Sequence, residues 1–374
     1  EGYTIAPCEK DTAGTDIILV VKQDAGDEHY SEFLDENRLV GIVQKYSDYI
    51  RWPIKMLRTK SRMIEGTDKD AEGHYKAPDY EEYTEDETLN SMVPIWKRDK
   101  KKVTDEEYAD FYKKKFGDWA DPAKVIQSKT EGTATYSALL FIPSRAPYNY
   151  YTKEYEKGLQ LYASGVLIMD KCADLLPDYF SFVKGLVDSQ DLSLNISREM
   201  LQHDSQLRLI RTTLERKIKN ELAAWMKNDR EKYDEFFKAF GLQLKVGCYA
   251  DFGAHKDVLQ DLLVFHSAKE DKLVSLKEYV DAMAEGQQYI YYAAGESAEK
   301  LGKLPTAERV LDKGFDILYL TDDVDEFALQ MLRVYAEKEF RNISGDDLGL
   351  ESDEEKEELK KQNEEHKDLF DAMK

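Results

Sequence analysis

The sequence predicts an α/β protein with two αβα sandwich lobes joined by a short helical segment. Two observations predict this fold class. Short, almost entirely apolar runs at 138–142, 166–169 and 262–265 are typical of strands covered on both faces. The stretches between them carry apolar residues at steps of three and four, which is the pattern of amphipathic helices. Strands that alternate with helices at this spacing favour parallel pairing through crossover helices.

Composition limits the classes of function. The chain has 374 residues, enough for two or three domains, and 42% of them are hydrophobic, enough for packed cores. Its formal net charge of -22 repels phosphate backbones, so no nucleic acid and no anionic membrane is expected as a partner. Three separated cysteines favour a reducing, cytoplasmic setting. No apolar run approaches the roughly 20 residues of a membrane span.

Residues 1–56 are predicted to be the end of a domain whose body is not in this sequence. Residues 15–22 show a buried-strand pattern, and residues 32–49 carry apolar side chains at helical spacing. Because one strand cannot form a sheet alone, we expect the last strand and last helix of that domain. The start at Glu1 also indicates a fragment. Residues 57–90 are polar and acidic, which predicts a charged linker with strand pieces at its edges.

The first lobe is predicted at 91–228. Thr104 is a good N-cap for a helix with acidic residues in its first turn, and Gly117 is a good end for that helix. Buried strands follow at 138–143 and 166–170. The longest predicted helix has one apolar stripe, formed by Leu207, Ile210, Leu214, Ile218, Leu222 and Trp225.

The rest of the chain is predicted to form a connector, a second lobe and an acidic tail. The connector at 229–248 should contain a short helix that stops at Gly241. The second lobe at 249–343 should alternate strands with helices and finish in an amphipathic helix at 322–337. Residues 344–374 are strongly acidic and helix-prone with few large apolar residues, so they should begin or lead to a further domain.

A polar loop at 188–202 precedes the longest helix and is the first candidate for a functional segment. Ser197 is a suitable N-cap, so Arg198 would lie at the positive end of the helix dipole, where a carboxylate is favoured. Such a mismatch costs a few tenths to about 1 kcal/mol. From its position in the sequence alone, Arg198 is either a functional residue or the ion-pair partner of a surface carboxylate.

The usual catalytic motifs do not occur in the sequence. There is no Gly-x-x-x-x-Gly-Lys, Gly-x-Gly-x-x-Gly, His-Glu-x-x-His or Gly-x-Ser-x-Gly, and the six histidines are scattered, so no metal site is predicted. The loop offers Arg198 and Gln202, which suit the stabilisation of phosphate charge but cannot bind a nucleotide by themselves. A partner domain would have to supply the phosphates.

Four segments match a known family pattern. The most specific is Phe182-Val183-Lys184-Gly185-Leu186-Val187-Asp188-Ser189 followed by Leu194-Asn195-Ile196-Ser197-Arg198-Glu199-Met200-Leu201-Gln202; the others are 46–54, 94–98 and 140–147. These segments resemble the heat-shock protein 90 chaperones of bacterial type, and the resemblance covers nearly the whole chain.

The resemblance implies an assignment for each part of the chain. Residues 1–56 would be the C-terminal strand and helix of an N-terminal ATP-binding domain, 57–90 a charged linker, 91–228 the large αβα lobe of a middle domain, 229–248 a helical connector, 249–343 the small αβα lobe, and 344–374 the acidic start of a C-terminal dimerisation domain.

The resemblance also implies roles for single residues. Arg198 corresponds to the family's catalytic arginine, which contacts the γ-phosphate of ATP, with Gln202 as its helper and Asn195 on the same loop. Thr15 resembles a threonine at the edge of the nucleotide pocket. Trp96 corresponds to a tryptophan linked to client contact, although a half-buried structural anchor is an equal alternative.

The function implied is the middle segment of an ATP-dependent chaperone that binds client proteins. ATP with Mg²⁺ would be the cofactor of the full-length protein, and none is expected to bind this fragment. The partners would be client proteins, the protein's own N-terminal ATPase domain and a second copy joined through the C-terminal domain. The alternative is the transducer domain of a type II topoisomerase or mismatch-repair-like ATPase, which would need a basic groove for DNA.

Overall fold

The protein forms two compact units, Glu1–Pro94 and Ile95–Lys374, which we call unit 1 and unit 2. The computed structural model describes residues 4–7, 9–63, 80–192, 205–345 and 348–350. Within those ranges the fold is a mixed α/β arrangement with three sheets, so the predicted fold class is confirmed. None of the helices in those ranges is both long and apolar enough to cross a lipid bilayer.

Unit 1 has little buried surface in its described part. Its two strands pair antiparallel over their full length, and cross-strand ion pairs such as Lys55–Asp86 and Arg62–Glu81, both at 2.8 Å, connect them. Its elements are a 3-10 turn at Tyr30–Leu34, α1 (Glu36–Ile42), a π-helical turn at Val43–Ser47, β1 (Lys55–Met63) and β2 (Tyr80–Thr88). The strand pieces expected at the edges of the acidic segment 57–90 are therefore present.

Two predictions for unit 1 are wrong in detail. Residues 15–22 form no strand, and Ile17, Ile18, Leu19 and Val20 are 79–92% exposed. A strand needs a neighbour for its backbone groups, and the described residues of unit 1 give this segment none. The predicted helix 32–49 is divided into three short helical pieces. None of their residues is buried, so the tertiary packing that stabilises most protein helices contributes little.

The first lobe of unit 2 is a five-stranded sheet with helices against it. Its order is β3-β4-β7-β5-β6, and all neighbours are antiparallel except β5 and β7. Every residue of β4 is buried, as expected for a strand covered on both faces. The strands are β3 (Pro122–Thr130), β4 (Tyr136–Pro143), β5 (Leu159–Ala163), β6 (Val166–Cys172) and β7 (Lys184–Ser189).

Two helices of this lobe follow their sequence signals closely. Helix α2 (Asp105–Phe116) begins with a capping box, in which Thr104 and Glu107 exchange hydrogen bonds, and ends at Gly117 in the left-handed conformation. Helix α3 (Ser205–Asn228) buries its whole predicted apolar stripe. These are the local signals that predicted both elements.

The connector is one long helix instead of the predicted short one. Helix α4 (Arg230–Tyr249) passes through Gly241 without a break. A Cβ at Gly241 would lie 2.6 Å from the ring of Phe237, so the glycine provides space for that ring and does not end the helix. A glycine in the middle of a helix costs about 1 kcal/mol of stability relative to alanine, and favourable tertiary packing can outweigh this cost.

The second lobe is built on a six-stranded mixed sheet. Its order is β12-β13-β10-β11-β8-β9, and only β10 with β11 and β10 with β13 are parallel pairs. The expectation of mainly parallel pairing is therefore wrong, because hairpins account for the β8–β9 and β12–β13 pairs. The strands are β8 (Val264–Ser267), β9 (Lys272–Ser275), β10 (Tyr289–Ala294), β11 (Ile317–Leu320), β12 (Val334–Tyr335) and β13 (Lys338–Asn342).

The last predicted helix, 322–337, is shorter than expected. It ends at Leu332, and Arg333, Ala336 and Glu337 have positive φ values of 60°, 46° and 64°, which turn the chain into the β12–β13 hairpin. The helices of this lobe are α5 (Lys256–Leu259), α6 (Leu276–Asp281), α7 (Ala298–Leu301), α8 (Pro305–Asp312) and α9 (Asp325–Leu332).

Candidate functional site

The predicted catalytic residues Asn195, Arg198 and Gln202 lie in 193–204, outside the described residues. The structure does describe the two elements that bracket them. Strand β7 ends at Ser189, and helix α3 begins at Ser205. We call residues 188–192 the loop root, because the chain leaves the sheet there.

Asp188 is the central residue of the loop root. Its side chain is fully buried, and its carboxylate Oδ2 accepts a hydrogen bond from the indole Nε1 of Trp96 at 3.0 Å. The Nζ of Lys97 forms an ion pair with the same oxygen at 2.6 Å. The other oxygen, Oδ1, accepts from the backbone N–H of Gly165 at 3.2 Å. Three donors therefore satisfy a buried carboxylate, as its desolvation requires.

The remaining residues of the loop root are tied to Thr135, just before β4. The Oγ of Ser189 donates to the Thr135 carbonyl at 3.2 Å, and the backbone N–H of Gln190 donates to the same carbonyl at 3.3 Å. In return, the N–H of Thr135 donates to Oδ2 of Asp191 at 2.6 Å. Leu192 is buried. The chain is thus held in place up to the last described residue before 193.

A solvent-connected cavity of about 340 Å³ lies beside the loop root. Its charged side chains have both signs, two lysines against one glutamate and one aspartate. Such a lining favours neither an anion nor a cation strongly. The cavity is lined by Lys97, Lys129, Thr130, Glu131, Thr135, Tyr136, Ser137, Asp188 and Gln190.

Helix α3 is fixed in the core of unit 2 by its buried stripe and by a side-chain contact. The hydroxyl of Tyr179 donates to Oε1 of Glu215 at 2.8 Å. Burial, together with this carboxylate, raises the pKa of Tyr179 well above its ordinary value, so the phenol stays protonated and remains a donor. Segment 193–204 therefore connects two elements that are each anchored in the core.

Thr15 and Trp96, the other two predicted site residues, occupy very different environments. Thr15 is exposed and lies outside the regular elements of unit 1. One exposed hydroxyl cannot hold a nucleotide by itself. Trp96 is 1% exposed, with its Nε1 on Asp188. Its ring cannot contact a client in this structure, and the anchor role that the sequence left open agrees better with this burial.

A different tryptophan, Trp119, is 78% exposed. The guanidinium of Arg145 stacks on its ring, with its carbon 3.3 Å from the ring centroid. Sequence reasoning missed this residue. The available signal was its position two residues after Gly117, beyond the end of helix α2.

A second exposed apolar surface lies where the connector meets the second lobe. We call Tyr249, Phe252 and Phe327 the aromatic patch: the rings of Tyr249 and Phe327 are in contact, and Phe252 follows Tyr249 by three residues along the chain. Phe252 is 99% exposed and has a positive φ of 57°, and Phe327 is 58% exposed. The rings of Tyr249 and Phe327 are 5.9 Å apart. Exposed aromatic side chains in such a group mark interaction surfaces more often than isolated ones do.

The described residues contain no group of three or more His, Cys, Asp or Glu side chains that could hold a metal ion.

Comparison with known proteins gives a consistent result. A protein-family model described as Hsp90 protein matches residues 63–374. Curated proteins named Chaperone protein HtpG are 58% identical in Clostridium acetobutylicum, 58% in Clostridium perfringens and 55% in Alkaliphilus oremlandii. Each match covers 100% of this chain and 58% of the relative. The chain therefore spans a little over half the length of these relatives.

A solved structure shows the same fold. The middle domain of a Plasmodium falciparum heat shock protein is similar with a TM-score of 0.60 and 28% identity, covering 67% of this chain and 100% of that one. The two-lobed α/β architecture is thus that of a chaperone middle domain. The chain belongs to the Hsp90 protein family. The alternative reading as a topoisomerase or mismatch-repair transducer is wrong, because the family and its named relatives are chaperones.

Proposed function

We propose that this chain is the middle segment of an ATP-dependent chaperone and couples ATP hydrolysis to client binding. The observation that carries the proposal is its match, along its whole length, to curated HtpG chaperones that extend well beyond it. The domain assignment from the sequence belongs to the same proposal: an incomplete ATP-binding domain at 1–56, a linker at 57–90, middle-domain lobes at 91–228 and 249–343 joined by 229–248, and a dimerisation domain that begins at 344–374.

Arg198 is proposed to contact the γ-phosphate of ATP that another domain of the same protein holds with Mg²⁺. The planar guanidinium can bind two phosphate oxygens at once and stays charged at any working pH. Gln202 and Asn195 would orient this contact from the same segment. Hydrolysis would then depend on the docking of two domains, because the arginine and the nucleotide lie on different ones.

The proposed partners follow from the family. They are client proteins, the protein's own N-terminal ATPase domain, and a second copy joined through the C-terminal domain. The proposed location is the cytoplasm, and nucleic acids and membranes are not proposed as partners. The net charge of -22 supports the exclusion of nucleic acid.

Client binding is best supported at the aromatic patch and at Trp119. Exposed aromatic rings contribute large apolar area to a contact and lose little conformational freedom on binding. Trp96 remains the tryptophan that the sequence assigned to clients, but its buried ring leaves Trp119 as the better candidate.

Replacing both Phe252 and Phe327 with serine should weaken binding of this chain to an unfolded client by about 10-fold, as expected for the loss of central aromatic contacts. Binding of a fluorescently labelled, permanently unfolded protein, followed by anisotropy, measures the effect. The matched control is Tyr148→Ser, because Tyr148 is also fully exposed but lies outside the patch. Equal affinity of the double variant and the control would remove the patch from the proposal.

ATP should bind this chain negligibly. The described residues of unit 1 provide Thr15 as the single predicted pocket residue, and it is exposed. Isothermal titration calorimetry with Mg²⁺-ATP should show no saturable heat up to millimolar nucleotide. Binding at micromolar concentration would contradict the assignment of the nucleotide pocket to residues outside this chain.

A further inference from the structure

Strand β3 forms one edge of the five-stranded sheet. It pairs with β4 on one side, and among the described residues no strand pairs with its other side. An edge strand presents backbone N–H and C=O groups to which a further strand can be added. The pairing of β3 with β4 has one irregularity, next to Pro122, and then runs without interruption from Lys124 to Thr130. We call the unpaired side of residues 124–130 the open edge.

The two edges of this sheet differ in how they are protected against further pairing. Strand β6, at the opposite edge, is out of register with β5 at two places, and such irregularities discourage the addition of a strand. The open edge has none after Lys124. Exposed lysines can also protect an edge, but Lys124 and Lys129 are ion-paired with Glu221 at 3.7 Å and Glu131 at 3.0 Å. The open edge is therefore the less protected of the two.

A solvent-connected groove of about 570 Å³ lies between helix α2 and β3. We call it the α2–β3 groove. Lys124 and Val125 both line it. Successive residues of a strand point to opposite faces of the sheet, so a groove that both residues line reaches the edge between those faces. The groove therefore gives an extended chain access to the open edge, with a helix as its other wall.

The walls of the α2–β3 groove are held in place by side-chain contacts. The hydroxyl of Tyr108 in α2 donates to Oε1 of Gln127 in β3 at 2.8 Å. Nearer the end of α2, the Nζ of Lys113 lies 2.9 Å from Oδ1 of Asp121, which immediately precedes β3. The Nε2 of Gln127 also donates to the carbonyl of Trp96 at 3.1 Å. A groove that is already formed requires little reorganisation when a ligand binds.

The charges that line the groove favour a basic ligand. The exposed carboxylates of Asp105 and Glu106, in the first turn of α2, have no ion-pair partner within the described residues. The lining cations Lys113 and Lys124 are paired with carboxylates of this chain, which leaves Lys100 as the remaining cation. The net charge of -22 acts in the same direction, because it attracts positively charged segments.

We propose that the α2–β3 groove binds an extended, basic segment of a client protein, which adds as a strand to the open edge and places lysine or arginine side chains beside Asp105 and Glu106. This inference deepens the proposed client binding and rests on it. Backbone hydrogen bonds to a strand edge do not depend on the side chains of the added segment, so one groove could serve clients of many sequences. Trp119, a candidate client contact, precedes Asp121 of the groove lining by two residues.

The first test uses the whole chain and a short fluorescein-labelled peptide in which valine alternates with lysine. Fluorescence anisotropy should show saturable binding, and the same peptide with glutamate in place of lysine should bind at least about 10-fold more weakly. Methylation of alternate peptide nitrogens then tests strand addition. In an added strand, one alternate set of N–H groups points at β3, so methylation of that set should weaken binding at least about 10-fold, and methylation of the other set less than about 2-fold.

The second test places the peptide in this groove. The double variant Asp105→Asn with Glu106→Gln removes both carboxylates and should weaken binding of the lysine peptide about 5- to 10-fold. Ala109→Arg puts a long cationic side chain into the groove from α2 and should weaken it at least about 10-fold. The matched control is Glu231→Gln with Glu235→Gln, two exposed carboxylates of helix α4, which should change binding less than about 2-fold. Thermal unfolding checks that each variant is folded, and the methylated peptides test the parent chain without any substitution.

The outcomes separate this inference from the proposed function. Equal effects of the two methylated sets would overturn strand addition, and an unchanged affinity in the Asp105 and Glu106 double variant would overturn the assignment to this groove. If the parent binds a labelled unfolded protein but not the lysine peptide, the proposed client binding stands and this inference is overturned. If the parent binds neither, both fail. Binding of the peptide without binding of the unfolded protein would reject a client as the occupant and so overturn the inference as stated.

Discussion

Arg198→Ala in the full-length protein is expected to lower the ATP turnover number by about 10-fold or more, with nucleotide affinity nearly intact. In enzymes that transfer phosphoryl groups, an arginine that contacts the transferred group can raise the turnover number by about 10³- to 10⁵-fold. The nucleotide is proposed to bind in another domain, so removing this side chain should not weaken the ground-state complex. Steady-state ATPase assays and titration with a non-hydrolysable analogue measure the two quantities separately.

Two further variants test whether a loss of turnover in Arg198→Ala is due to the guanidinium of Arg198. Arg198→Lys keeps the charge but loses the planar fork, so it should recover only a small part of the activity. Arg216→Ala removes an exposed arginine from helix α3, which follows the same segment, and should leave turnover within about 2-fold. A full recovery with lysine would show that charge alone is needed, and an unchanged rate in Arg198→Ala would reject the proposed role.

The sequence predicted best those elements whose ends depend on nearby residues. The capping box of α2 requires Thr104 and Glu107, three residues apart, and Gly117 ends the same helix. Strand β4 could be predicted from its continuous apolar run alone. Such signals are local, so one sequence is sufficient to recognise them.

The predictions that failed depend on packing contacts, which the pattern of apolar and polar residues in one segment does not show. Gly241 was predicted to end a helix, but its neighbour Phe237 needs the space that the glycine leaves. The segment 15–22 has the composition of a buried strand, yet a strand forms only where a partner lies beside it. The pattern within one segment shows which secondary structures the segment can form, and its contacts with the rest of the protein decide which one it does form.

Some residues of the candidate site could be indicated by the sequence, and others could be recognised only in the structure. Family resemblance indicated Arg198, Gln202 and Asn195, and these assignments stay predictions because the described residues do not include them. The burial of Trp96 against Asp188 joins residues 92 positions apart, and no local pattern could reveal it. The position of Trp119 after the end of α2 left its exposure undecided, because an aromatic residue there can either pack inward or remain at the surface.

A buried ion pair joins the connector helix to the second lobe and should dominate the stability of that junction. Lys245 in α4 has a side chain only 6% exposed, and its Nζ lies 2.6 Å from Oδ1 of Asp325, the first residue of α9. Asp322 gives a second contact at 2.8 Å. The rings of Phe237 and Phe265 lie 5.5 and 5.3 Å from the same Nζ. Burial raises the pKa of Asp325, and the charge of Lys245 partly opposes that rise.

Lys245→Met is expected to lower the free energy of unfolding by about 3–5 kcal/mol, because it leaves the Asp325 carboxylate buried without its cation. Replacing both residues, as Lys245→Met with Asp325→Leu, should recover most of this loss, since an apolar pair needs no charge compensation. Urea unfolding followed by circular dichroism measures the difference. The control Lys277→Met removes an exposed ion pair with Asp281 and should cost less than about 1 kcal/mol.

The pH dependence of Lys245→Met identifies the carboxylate as the cause. Asp325 has a raised pKa in the folded protein, so protonation favours the folded state: its favourable contribution is complete below the unfolded pKa and is lost as pH rises through the folded pKa. Without Lys245 the folded pKa should rise further, which widens that window. The loss in free energy of unfolding of Lys245→Met relative to the parent should therefore be smaller at about pH 5 than at about pH 7. If the loss in free energy of unfolding were equal at both pH values, it would come from the lost contacts of Lys245 with the Phe237 and Phe265 rings, and not from the unpaired carboxylate of Asp325.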